Sequence, residues 1–139
     1  MKSSRLLLVG FLLLTAVGLF AQNVEKTFVR SFNLQGAHEL ALQLNGAVEV
    51  QTWSQTTTRV QMTVGLERGS ETMLRSLAQA GRYNLRGQLD GGQYQVNVPG
   101  LAREVKVNGY AIGELITYVV FVPENVHVVI DDSTAASAF

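Results

Sequence analysis

Leu115-Ile116-Thr117-Tyr118-Val119-Val120-Phe121-Val122, then Pro123-Glu124-Asn125, then Val126-His127-Val128-Val129-Ile130, is the stretch on which the fold turns. β-Branched and aromatic residues fill both arms, a composition that suits a pleated and partly buried surface. Pro123 presets φ for the first corner of a type I turn, and Asn125 tolerates the left-handed conformation at the third loop position. The reading is a β-hairpin with a three-residue loop that pairs Val122 with Val126, Val120 with Val128 and Tyr118 with Ile130. That face is apolar apart from one phenolic hydroxyl. The other carries Leu115, Thr117, Val119, Phe121, His127 and Val129 and is also mostly apolar. A strand apolar on both faces belongs in the middle of a sheet covered on both sides. The alternative is one covered face and one exposed apolar patch that binds something.

The rest of the chain supplies partners. Residues 24–34 (VEKTFVRSFNL) place Phe28 and Phe32 on one parity, interrupted by Lys26 and Arg30. Inward charges of this kind blunt sheet edges, so this is read as an edge strand. Leu40, Leu42 and Leu44 alternate with smaller or polar residues, and Val48 and Val50 alternate with Glu49 and Gln51 beyond Asn45-Gly46. Asn-Gly is a hairpin signal, but a two-residue loop would pair Leu42 with Glu49. An odd loop, Asn45-Gly46-Ala47, or a solenoid corner would keep the parity. Trp53 ends this strand. Val60, Met62, Val64 and Leu66 then alternate with polar residues, as a half-buried strand does.

At Gly69-Ser70 the period changes. Met73, Leu74, Leu77 and Ala78 share one helical face; Ser70 is a good N-cap, Glu71 suits the positive N-terminus and Gly81 a good C′ position. The spacing predicts a short helix over 71–80. Leu89 and Tyr94 then flank Gly91-Gly92, and a two-residue loop there pairs Leu89 with Tyr94, Gly87 with Val96 and Leu85 with Val98. Pro99-Gly100 ends that hairpin. Val105 and Val107 suggest a short strand within 103–108, with a loop over 109–113. The fold class is therefore mainly β, an antiparallel β-sandwich or a short β-roll or solenoid with one short helix.

The first 21 residues stand apart. Lys2 and Arg5 precede an apolar run from Leu6 to Phe20, followed by Ala21. The run is shorter than the roughly 20 residues a membrane span needs, so 1–21 reads as a secretory signal peptide. Residues 22–132 then form a single β-rich domain, and 133–139 a loose tail. Loss of Lys2 and Arg5 leaves nine basic against eleven acidic residues. That balance argues against a nucleic-acid partner. With no cysteine, the chain has neither disulfides nor thiolate chemistry. The expected location is outside the cytoplasm: periplasm, cell surface or medium, with no membrane span once the leader is cut.

No catalytic constellation emerges. His38 reads as a solvated strand-start residue and His127 as a semi-buried one; a catalytic histidine needs a positioned partner. Asp131 and Asp132 point to opposite faces of an extended chain, which makes a calcium site with Asn125 or Glu124 a poor competitor to a solvated strand end. Neither a metal nor a cofactor is expected, nor an enzyme, although a hydrolase using His127 and Asp131 is one rival reading. Trp53, Tyr83, Tyr94 and Tyr110 are the aromatics that could serve a recognition surface. Trp53 leads them because its parity is opposite to that of Val48 and Val50. Trp53, Tyr94 and Tyr110 are the candidate binding residues.

Gly46-Ala47-Val48-Glu49-Val50-Gln51-Thr52-Trp53, followed by Thr58-Arg59-Val60-Gln61-Met62, resembles exported bacterial adhesin-like β-repeat domains of the auto-transporter adhesin head-GIN type. Val119-Val120-Phe121-Val122-Pro123-Glu124-Asn125-Val126 looks like their strand ending in a valine-proline turn. The helix over 71–80 departs from such repeats. The resemblance implies no enzyme activity and supplies no functional residues. The favoured reading is a non-catalytic envelope domain with adhesion-like or structural interactions through a sheet face or edge, for which an envelope protein or a surface glycan is the candidate partner. The rival function is a periplasmic carrier of a small apolar ligand, its cavity lined by the Leu115–Ile130 stretch.

Overall fold

The computed structural model describes residues 24–131. The expected leader and tail lie outside the described residues. The chain runs β1 (Val24–Phe32), β2 (Glu39–Gln43), β3 (Ala47–Trp53), β4 (Thr58–Leu66), α1 (Glu71–Gln79), β5 (Arg86–Asp90), β6 (Gln93–Asn97), a 3-10 turn (Pro99–Ala102), β7 (Lys106–Val107), β8 (Tyr110–Ala111), β9 (Glu114–Pro123) and β10 (His127–Ile130). One four-stranded sheet, sheet A, has the order β1-β4-β9-β3, and a second, sheet B, the order β10-β2-β6-β5. β7 and β8 form a small separate ribbon, where the sequence predicts one short strand and a loop.

Both sheets feed one core. Sheet A contributes Val60, Met62, Val64, Tyr118, Val120 and Val122, and sheet B contributes Leu40, Leu42, Tyr94 and Val96. Helix α1 adds the buried Leu74, with Met73, Leu77 and Ala78 packed beside it. The Ser70 Oγ accepts from the Met73 amide at 3.1 Å, capping the helix as its sequence predicts. Gly81 follows with φ of 86°, the left-handed exit that glycine adopts without strain.

The predicted β9–β10 hairpin does not form. The two strands belong to different sheets: β9 lies antiparallel to β4 and parallel to β3, and β10 lies parallel to β2. Residues 124–126 turn a corner between the sheets, with the Val126 amide donating to the Pro123 carbonyl at 3.2 Å. An odd loop keeps Tyr118, Val120, Val122, Val126 and Val128 on the core side whether the strands pair or part, so parity does not separate hairpin from corner. The sheets are accordingly mixed rather than antiparallel, with β2 also parallel to β6. β9 is also buried on one side alone. Tyr118, Val120 and Val122 are buried, whereas Leu115 on the other side is 59% exposed.

Asn45-Gly46 marks a second corner, between β2 and β3. Gly46 sits at φ 150°, and a Cβ there would overlap the Ile116 carbonyl oxygen of β9. The corner therefore needs glycine both for its backbone angle and for the close approach to β9. The β5–β6 hairpin pairs Leu89 with Tyr94 and Gly87 with Val96, as predicted. β1 is an edge strand of sheet A, also as predicted. Its inward charges are absorbed locally: Lys26 Nζ lies 5.7 Å from the Phe28 ring centroid, and the Arg30 guanidinium lies 5.2 Å from that of Phe32 while donating to the Leu85 carbonyl.

Candidate functional site

The alternation of β9 sends Leu115, Thr117, Val119 and Phe121 to the outer face of sheet A. Registers with its neighbours put Thr27 and Val29 of β1, Arg59, Gln61 and Thr63 of β4, and Glu49, Gln51 and Trp53 of β3 on the same face. The result is a mixed surface with an apolar component: Val29 is 56% exposed, and Val119 and Phe121 are half-buried. Across it, the Thr27 and Thr63 hydroxyls meet at 3.1 Å.

Trp53 closes one end of this face. Its ring is tilted 32° to that of Phe121 with centroids 5.3 Å apart, and the Arg59 guanidinium lies 5.1 Å from the indole. Its Nε1 donates to the Thr57 carbonyl at 2.7 Å, which pins the 54–57 turn beneath it. The ring is thus half-buried, oriented and held from three directions. Such an aromatic loses little rotamer freedom on binding a partner.

Beside Trp53 opens a cleft of about 470 Å³. Its walls are three segments that the fold brings to the same end: residues 33–38 between β1 and β2, 53–57 between β3 and β4, and 123–126 at the β9–β10 corner. Asn33, Gln35, Gln55, Glu124 and Asn125 give it hydrogen-bonding side chains, and Leu34, Ala37 and Val126 an apolar part. Of these, the sequence points only to Trp53. The loop residues carry no spacing signal, since the topology alone joins them.

The other aromatic candidates separate. Tyr94 is 5% exposed, with its ring centroid 6.0 Å from that of Phe32. It is a core residue, and burial leaves no ring surface for a partner. Tyr83 is likewise buried, against Phe28. Tyr110 is 68% exposed, but it sits on β8 beside Arg68, Met73 and Ile112, which is the far end of β4 from Trp53. Eight residue steps along β4 amount to roughly 26 Å, so Trp53 and Tyr110 do not form one site.

At that far end the structure holds a buried ion pair without a motif in the sequence. Arg82 and Glu114 side chains are 9% and 12% exposed. The Arg82 Nε donates to Glu114 Oε2 at 3.0 Å, and an Nη donates to the second oxygen. Its other Nη reaches the Gly100 and Arg103 carbonyls at 3.0 and 2.6 Å. Burial pushes the Glu114 carboxyl up, but donation from Arg82, the nearby Tyr83 hydroxyl and the guanidinium charge outweigh it, so the net shift is downward. The Tyr83 hydroxyl is near enough to feel that carboxylate, yet makes no hydrogen bond of good geometry. Burial first, then the carboxylate, raises the Tyr83 hydroxyl far above its usual range. This cluster ties the exit of α1 to the start of β9 and to the 3-10 turn.

His127 and Asp131 lie four steps apart on an extended strand, roughly 13 Å, too far for a proton-sharing pair. His127 is exposed, where the sequence suggests a semi-buried residue. Among the described residues, no group of three or more His, Asp or Glu is placed to hold a metal ion. The inward residues of β9 are packed into the core beside Val60 and Met62, and only the 123–126 corner of this stretch faces the cleft. No described helix is long and apolar enough to cross a membrane.

The fold defines the class: a mainly β domain of two mixed four-stranded sheets with one short helix. No family model and no curated protein matches the chain. Among solved structures it is similar to a "putative cell adhesion protein" from Clostridium sporogenes ATCC 15579, at 13% identity and a TM-score of 0.40. That likeness covers 76% of this chain and 45% of the other, so the chain spans less than half the length of the protein it matches.

Proposed function

We propose that this chain is an exported, non-catalytic binding domain of the bacterial envelope, with an adhesion-like role. The outer face of sheet A and the adjoining cleft form its recognition surface. The observation that carries this reading is Trp53: a tethered aromatic at the mouth of a cleft of mixed polar and apolar walls, continuous with a mixed, partly apolar sheet face. Amphipathic aromatics in such settings concentrate binding energy. Export rests on the leader expected over 1–21, and the partner class, an envelope protein or surface glycan, on the mixed character of the cleft.

Trp53 is the sole tryptophan of the chain, so intrinsic fluorescence reports the site directly. Titration with envelope extracts and surface glycans is expected to shift its emission, and Trp53→Ala to abolish retention of the partner at a temperature where circular dichroism shows the variant folded. Protease treatment of intact cells, alongside fractionation, tests location. A partner bound equally well by Trp53→Ala, or a chain confined to the cytoplasm, refutes the reading.

A further inference from the structure

Strand β3 ends sheet A, and it is an edge of a different kind from the others. β1 carries Glu25, Lys26 and Arg30, β5 carries Arg86 and Asp90, and β10 is four residues long. Charges and shortness are the devices that keep sheet edges from pairing. β3 has seven regular residues, no proline, and Glu49 as its sole charge. Its core-side Val50 is 37% exposed, so the core is open along this strand.

The sequence of β3 is also compatible with itself. In an antiparallel pair centred on Val50, Val50 faces its own copy, Val48 faces Thr52, and Glu49 faces Gln51. No like charges meet, and the two exposed valines cover one another on the core side. We propose that the protein forms a symmetric dimer by antiparallel pairing of two β3 edges, joining two sheets A into one eight-stranded sheet. Such an interface is isologous and closes on two copies. It places the two Trp53 residues on the same outer face, six steps apart along the strand direction, or roughly 20 Å. Two clefts so arranged would engage a repetitive partner bivalently.

The test is sedimentation velocity over a wide concentration range, on protein from which the cell has removed the expected leader. Wild-type protein is expected to be a concentration-dependent dimer. Val50→Lys puts two ammonium groups directly opposite and is expected to raise Kd by about tenfold or more. Gln51→Lys sets each new ammonium opposite Glu49 of the other copy, two symmetric pairs of opposite charge across the interface. It is expected to lower Kd about two- to tenfold at low salt. Circular dichroism checks that each variant folds; should Val50→Lys fail to fold, the sign of the Gln51→Lys effect still decides. A monomer at every concentration overturns the proposal. So does a dimer that Gln51→Lys weakens or that a folded Val50→Lys leaves unchanged.

Discussion

Replacing Arg82 with methionine keeps most of the side-chain volume and removes the guanidinium. Glu114 then stays buried with its charge unpaired, and the Gly100 and Arg103 carbonyls lose their shared donor. Two charge-assisted hydrogen bonds are worth about 1.5–3 kcal/mol each. Because both partners are only about a tenth exposed, solvent screens little of this. The expected loss at neutral pH is about 3–5 kcal/mol, the range for breaking a buried pair on one side. The loss has a pH signature. In the wild type the folded carboxyl titrates below its ordinary value of 4.5, so the pair stabilises the fold above that pH. Its contribution disappears as pH falls through the lowered value. In Arg82→Met burial is opposed only by the smaller effect of the Tyr83 hydroxyl and raises the carboxyl, so protonation relieves the penalty as pH falls. The gap between the two proteins therefore narrows from pH 7 towards acid. Urea unfolding at neutral and acid pH measures it. The double variant Arg82→Met/Glu114→Leu is expected to recover most of the loss, since an apolar pair can replace a buried ionic one. A loss below about 1 kcal/mol at pH 7, or one that does not change with pH, refutes the argument.

Gly46→Ala is expected to cost about 3 kcal/mol or more in thermal or urea unfolding, because its Cβ would overlap main-chain atoms of Ile116 and the residue needs φ of 150°. The one-sided burial of β9 predicts that Leu115→Ser changes stability by less than about 0.5 kcal/mol. Leu42→Ala, at a fully buried position of β2, is expected to cost about 2–5 kcal/mol in the same assay.

Local structure is legible where chemistry forces a single outcome. Ser70 and Gly81 bracket the helix, Gly91-Gly92 sets the β5–β6 register, and Lys26 and Arg30 mark β1 as an edge. The topology is less legible. Val122 and Val126 point to the core in a hairpin and in a corner alike, so the 123–126 turn gives no sign of which sheet β10 joins. The outer residues of β9 mislead for a related reason: Val119 and Phe121 are apolar enough to suggest cover, yet Leu115 is left in solvent. At the site, the parity of Trp53 is informative because it places a large aromatic opposite the core-facing valines. Tyr94 is not, because an inward tyrosine and a recognition tyrosine look the same in sequence. Arg82 and Glu114 meet from distant positions. The one available hint is that Glu114 shares the parity of Ile116 and Tyr118, where a charge on the core side requires a partner.

The parallel ladders also dictate when the fold can close. β3 has one neighbour, β9, and Ala47 pairs with Thr117. β2 lies between β6 and β10, so Glu39 waits for both Gln93 and His127. As the chain emerges from its N-terminus, β1 and β4 can zip together early, but β2 waits as an unpaired strand until β6 arrives and β3 until β9 does. Such non-local pairing is slow, on the order of milliseconds to seconds, and strand edges stay uncovered meanwhile. A chain stalled before β9 would expose the uncharged Val50 side of β3 beside an incomplete core. In that interval, a factor that shields bare strands would protect it more than any added stability of the finished domain.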